Sequence, residues 1–203
     1  MSINTSVLLD FWFTSLDLSP SWFQSRMALW FGANPDLDSE IATRFGSWLS
    51  REPAGYLSAR DKLAWVILWD QVPRNLWRGQ AKMLSFDHRA LEMVKSFTAP
   101  EVDSLHPMEQ CFFWLVYQHQ EDISAQEKQL AAFEKLLSNA TLQMKPFLTI
   151  GARQARRHLE MIQRFGRFPH RNPMLGRQST AEEQRFIYDP DYNFLLPVGP
   201  SVG

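Results

Sequence analysis

An all-α fold, an array of antiparallel helix pairs with about eight or nine helices, is what this 203-residue chain predicts. Three observations carry it. Apolar residues recur at three- and four-residue spacing along most of the length. No segment alternates apolar and polar as a half-buried strand does, and the hairpin dipeptide Asn-Gly is absent. Prolines and short capping sequences stand where new helices should open.

The first helix is expected over residues 6–14. Pro20 opens a second, over 22–31, because its fixed φ suits a first helical turn. Asn34-Pro35 starts a third, on which Ile41, Phe45, Trp48 and Leu49 fall at core spacing. Ser58-Ala-Arg-Asp61 has the form of a capping box for a fourth, ending near Gln71 ahead of Pro73. A fifth covers residues 85–97, and Pro107 opens a sixth that reaches Tyr117. Ser124-Ala-Gln-Glu127 reads as the cap of a seventh, with Leu130, Phe133, Leu136 and Leu137 apolar. The eighth runs over residues 146–165. Leu148, Ala152, Ala155, Leu159 and Ile162 form its stripe, and Gly166 is its natural C-terminal cap. Thr180-Ala-Glu-Glu183 starts a short ninth. Residues 1–189 are taken as one helical domain and 190–203 as a C-terminal tail. No internal repeat is clear, so any solenoid is degenerate.

Composition narrows the class. Apolar residues make up 45% and the formal net charge is −1, a balance with no global bias toward nucleic acid or membrane. The longest apolar runs, 63–69 and 111–117, are far shorter than the roughly 20 residues of a membrane helix. Asp10 interrupts the N-terminal apolar stretch, and no Lys or Arg precedes it, so no secretory signal is read there. One cysteine, Cys111, fits a reducing compartment, and the cytoplasm is the expected location. Its setting, Cys111-Phe-Phe-Trp-Leu-Val-Tyr117, predicts a buried, inert thiol.

Chemistry concentrates in three places. Between Arg153 and Arg177 the chain carries seven arginines, His158, His170, no lysine and one acid, Glu160. Arginine without lysine points to planar, two-pronged contact with carboxylate or phosphate, on a ligand or on the protein's own acids. At the centre is Phe165-Gly-Arg-Phe-Pro-His-Arg-Asn172, where Pro169 biases Phe168 to extended backbone. The fourth helix is apolar from Leu63 to Trp69 and then delivers Asp70-Gln71, a carboxylate at the unfavourable end of the helix dipole that needs a cation. The sixth ends likewise in Gln118-His119-Gln120-Glu121-Asp122. If that helix persists, His119, Asp122 and Gln126 share one face. Two apolar helices ending in inward polar groups predict that Asp70, His119, Asp122, His170 and Arg171 meet in one pocket. His158 lies at the edge of the eighth helix's stripe and reads as a hydrogen-bonded core residue. Arg153, Arg156 and Arg157 read as a solvated face, and Phe165 and Phe168 as packing anchors.

Taken together, Asp70-Gln-Val-Pro-Arg-Asn75 with Arg78-Gly79, His119-Gln-Glu-Asp122, and Phe165 to Asn172 with Leu175-Gly-Arg-Gln-Ser-Thr180 closely resemble bacterial domain of unknown function 924. Leu9-Asp-Phe-Trp-Phe13 fits it as well, and the resemblance covers residues 6–188. It implies an all-helical, tetratricopeptide-like fold and no established activity. One departure is Gln120, where the family pattern has Ser, which weakens a hydroxyl nucleophile beside His119.

The expectation is therefore an Arg-, His- and Asp-lined pocket that binds, and could transform, a small anionic molecule bearing carboxylate or phosphate. Asp70, Gln71, Arg74, Asn75, Arg78, Arg167, Arg171, Asn172 and Arg177 are its candidate ligand-binding residues. His119 and His170 are candidates for proton transfer, with Glu121 or Asp122 orienting them. The alternative is a tetratricopeptide-like interaction module that holds a peptide carboxylate in an arginine clamp. No metal is expected, because His119, Asp122, His158 and His170 lack a diagnostic spacing and arginines would repel a cation. No cofactor, nucleic-acid partner or membrane contact is expected. The sequence does not fix an oligomeric state.

Overall fold

The computed structural model describes residues 3–188, and no strand occurs among them. The predicted C-terminal tail lies outside the described residues. The chain divides into two compact units, residues 1–116 and 117–203. Each is taken by itself.

The first unit contains α1 (Thr5–Phe13), α2 (Pro20–Phe31), α3 (Pro35–Phe45), α4 (Ala59–Asp70), α5 (Val72–Leu76), α6 (Asp87–Lys95), α7 (Ala99–Ser104) and most of α8 (Pro107–Gln118), with short 3-10 turns at Gly46–Ser50 and Ala81–Leu84. Its centre is α4, which packs on α1, α5, α6 and α7. Every residue from Leu63 to Asp70 is buried, which the all-round apolar sequence requires. Ser58 and Asp61 form the expected capping box. Aromatic rings fill the space beside α1: Phe112 meets Trp30, Phe13 and Trp12 at centroid distances of 4.8, 5.3 and 5.9 Å. The end of α1 is closed from a distance, since the indole N–H groups of Trp22 and Trp30 donate to Phe13 O at 3.0 Å and Trp12 O at 3.1 Å. Cys111 is buried, and burial pushes its thiol pKa up, as an inert core position should.

Two elements of this unit differ from the sequence reading. Pro73 does not merely follow α4. It sits in the first turn of the separate helix α5, where a missing N–H leaves nothing unsatisfied. The sequence reading also passes over α7, although Thr98-Ala-Pro-Glu101 forms a capping box there.

The second unit is built on an antiparallel pair, α9 (Ile123–Ser138) and α10 (Lys145–Phe165), followed by a 3-10 turn at Pro169–Arg171 and α11 (Ala181–Ile187). Four of the five predicted stripe residues of α10 are buried, Leu148, Ala152, Ala155 and Ile162, while Leu159 is half-buried, and Gly166 takes the left-handed cap at φ 67°. The cap of α9 is corrected: Asp122, not Ser124, stands at the N-cap and accepts from Ala125 N at 2.8 Å. The reason is that α8 stops at Gln118, so His119 and Asp122 lie on a turn and not on one helical face. Gln126 fixes that stop. It is fully buried, and its amide nitrogen donates to the carbonyls of Tyr117, Gln118 and Gln120 at 3.1, 3.0 and 2.6 Å. Those of Tyr117 and Gln118 belong to the last turn of α8, where carbonyls lack an intrahelical partner, and Tyr117 O also accepts from Gln120 N at 3.1 Å. Among the described residues no helix is long and apolar enough to cross a membrane.

At Gly151 of α10 an added Cβ would fall 2.4 Å from the buried ring of Phe133 on α9. Gly151→Ala would gain about 1 kcal/mol of helix propensity but force overpacking that costs about 1–3 kcal/mol. The expected net result is a loss of stability in urea unfolding. An increase would show that the ring moves aside.

Candidate functional site

Most candidate arginines already hold the chain's own carboxylates. In the first unit Asp70 is buried at the end of α4, where the dipole opposes it, and accepts from Gln71 Nε2 at 2.6 Å. Arg74 reaches it at 3.2 Å and closes a two-pronged contact on Asp87 at 2.9 and 3.0 Å. Arg78 bridges Asp38 and Asn75 Oδ1, each at 2.9 Å, and Asn75 Nδ2 donates to Gln71 O at 3.0 Å. Asp70, Gln71, Arg74, Asn75 and Arg78 are thus one connected network within that unit.

In the second unit Arg167 grips Glu183 at 2.6 and 2.9 Å, and Arg177 grips Glu121 at 2.7 and 2.9 Å. Both are the planar forks expected of arginine, turned inward. Glu183 is buried and also serves as the capping-box residue of α11, accepting from Thr180 N at 2.7 Å. Its carboxyl is held down to about 2, first by the bond from Arg167. Burial works against Glu121, but Arg177 and a 2.8 Å bond from Phe168 N keep its carboxyl below the ordinary value. Asn172 is fully buried and donates to Ser179 Oγ at 3.0 Å and Glu183 at 3.3 Å. Asp122 is exposed and is the cap of α9.

The remaining candidates gather around one ring. Phe168 is fully buried, with the extended backbone (φ −90°, ψ 104°) that Pro169 imposes. The Arg171 guanidinium lies 4.6 Å from its centroid and donates to His119 O at 2.9 Å. His170 stacks on the ring at 5.5 Å and His158 meets it edge-on at 5.3 Å. His158 Nδ1 is 2.8 Å from Gln154 O. Burial lowers the pKa of His158 to about 4, with the neighbouring His119 and Arg171 adding to the effect. Burial followed by Arg171 lowers His170 to about 3, and Glu121 pulls the other way. Among the described residues no three His, Cys, Asp or Glu side chains are grouped to hold a metal ion.

Residues 8–191 match the family described as bacterial protein of unknown function, DUF924. The chain belongs to the DUF924 family. A solved structure of a protein of unknown function from Agrobacterium tumefaciens is similar to this DUF924 chain, with TM-score 0.70 and 26% identity over 91% of this chain and 97% of that one. No curated protein matches.

Within the DUF924 chain the sequence locates the turn but not all of its partners. His158 is the hydrogen-bonded packing residue that the sequence predicts, bonded to Gln154 O and edge-on to Phe168. Glu183 was read only as part of a helix cap, and burial makes it the partner of Arg167.

The two imidazoles set a pH dependence. Each is neutral in the fold, while the unfolded chain protonates it near the ordinary value of 6.5, so the unfolded state binds more protons below that value. Stability is full above about pH 6.5 and falls as acid is added toward the folded values. Between about pH 7 and about pH 5 the expected loss is about 1–2 kcal/mol for each imidazole. Urea midpoints should fall over that range, and His158→Gln or His170→Gln should each flatten the slope. An unchanged slope would refute the neutral-imidazole assignment.

Proposed function

We propose that the Phe168–Arg171 turn, with His119 and His158, binds a small anionic molecule carrying a carboxylate or phosphate. One observation carries this reading. The turn brings the Arg171 guanidinium to one buried ring beside His170 and His158, and the nearby carboxylates Glu121 and Glu183 are each gripped by another arginine, Arg177 and Arg167. An anion is what such a neighbourhood favours. Arg167, Arg177 and Arg74 are assigned to positioning, since their forks are closed on protein carboxylates. His119 and His170 remain the candidates for proton transfer. An imidazole that titrates near 3 is a weak base at neutral pH, so binding is supported before chemistry.

A second reading, a tetratricopeptide-like module that takes a peptide, draws on a different feature. An open groove of about 510 Å³ runs between α9 and α10, with Leu137 and Ala152 in its lining and Arg153 and Arg156 beside them. Peptide binding there would survive substitution at Arg171.

The test is thermal shift with benzoate and phenyl phosphate on wild type, Arg171→Lys and the exposed control Arg44→Lys. An anion at one hundred times its dissociation constant stabilises by about 2.7 kcal/mol. Arg171→Lys keeps the charge and loses the fork, so the anion should bind about tenfold more weakly, while the control binds like wild type. A wild type that neither anion shifts would remove the reading.

A further inference from the structure

The groove between α9 and α10 has a matching segment in the chain itself. Thr149, Ala152, Arg153 and Arg156 recur at three- and four-residue spacing, so they share one face of α10, with Glu134 and Leu137 of α9 across from them. Leu137 and Ala152 supply apolar surface there, and Ile150, next to Thr149, is exposed. Arg156 holds Glu134 at 2.6 Å. Among the described residues Arg153 has no acid partner, so the groove keeps a positive charge.

The sequence after α11 has the opposite character. Residues 189–203 contain Asp189 and Asp191, no Lys or Arg, and the largely apolar run Tyr192-Asn-Phe-Leu-Leu196. Pro190 and Pro197 bias the residues before them to extended backbone. Reach and register agree with the groove. Arg164 bonds Glu182 at 2.7 Å and the rings of Phe165 and Phe186 lie 5.1 Å apart, which pins α11 to the last turn of α10. Back from Arg164, α10 covers about 12 Å to Arg156 and about 22 Å to Thr149. Extended chain leaving Tyr188 covers about 10 Å by Asp191 and about 20 Å by Phe194. Running back along α10, an acid comes level with the arginines and apolar residues come level with Ala152.

We propose that residues 189–196 turn back along α10 and occupy the α9–α10 groove, with Asp191 at Arg153 and Phe194, Leu195 and Leu196 against Leu137 and Ala152. The contact is autoinhibitory, because a peptide entering the groove has to displace the chain's own tail. The inference rests on the groove and the tail sequence and needs no anion at the Phe168 turn. The tether makes modest contacts sufficient, since it holds the tail at about millimolar effective concentration.

Fluorescence anisotropy with a labelled peptide of residues 189–203 tests this on the full chain. Phe194→Asp with Leu196→Asp frees the groove and changes no residue of α1 to α11. The peptide should bind that variant about tenfold more tightly than wild type, whose own tail competes with it. Adding Arg153→Glu should weaken the peptide about tenfold, while the exposed control Lys128→Glu leaves it unchanged. Equal binding to wild type and the freed variant, or binding to neither, overturns the proposal. A peptide indifferent to Arg153→Glu places the tail elsewhere and overturns the groove. A second measurement needs no peptide. Thr149→Cys with Leu195→Cys, oxidised by diamide in dilute full chain, should close a disulfide within one molecule, and the buried Cys111 stays out of reach. No cross-link, or one between two molecules, overturns docking of the chain's own tail. None of these results bears on anion binding at the Phe168 turn.

Discussion

A carboxylate cannot leave water alone, and much of this structure follows from that. Three acids are almost wholly buried, Asp70, Glu109 and Glu183, and each meets an arginine: Arg74, Arg60 and Arg167. An unmatched charge in such a place costs several kcal/mol, more than one helix turn contributes. Two of the three are also first-turn residues of a helix, where backbone N–H groups need an acceptor. Glu109 accepts from His106 N at 3.0 Å and Glu183 from Thr180 N at 2.7 Å. One carboxylate thus starts a helix and anchors an arginine from elsewhere in the chain. The arginine-rich sequence is in large part the counterpart of these acids.

That explains which parts of the chain were legible beforehand. Helix positions were readable because their signals are local: the capping box at Ser58, the stripe of α10, and Gly166 at its end. The helix ends were harder. Ser124 and Asp122 are both good caps in sequence, and the choice depended on where α8 stops. That stop is set by Gln126 from the following helix. The third motif was visible as chemistry, but composition does not say whether a guanidinium faces a ligand or a glutamate. Arg167 and Arg177 face glutamates sixteen and fifty-six residues away, separations that no periodicity reports.

The turn at Phe168 is built on another principle. Phe168 shares a small apolar cluster with Met161 and Ile162, and its ring also takes a cation and two imidazoles, which an aromatic face tolerates. The proline ahead of His170 sets the backbone, so His170 and Arg171 leave the chain at fixed angles. Rigidity here belongs to the scaffold and leaves a bound molecule little to organise.

The amide of Gln126 and the indoles of Trp22 and Trp30 share one habit: each finishes the helix before its own. Tyr117, Gln118 and Gln120 give their carbonyls to a residue in α9, and Trp12 and Phe13 give theirs to α2. The local bonds from Gln120 N to Tyr117 O and from Thr14 Oγ1 to Phe13 O hold each end, and the docked successor adds a second donor to it. Amide exchange at these ends should accordingly open together with the donor helix, in larger cooperative steps than local fraying would give.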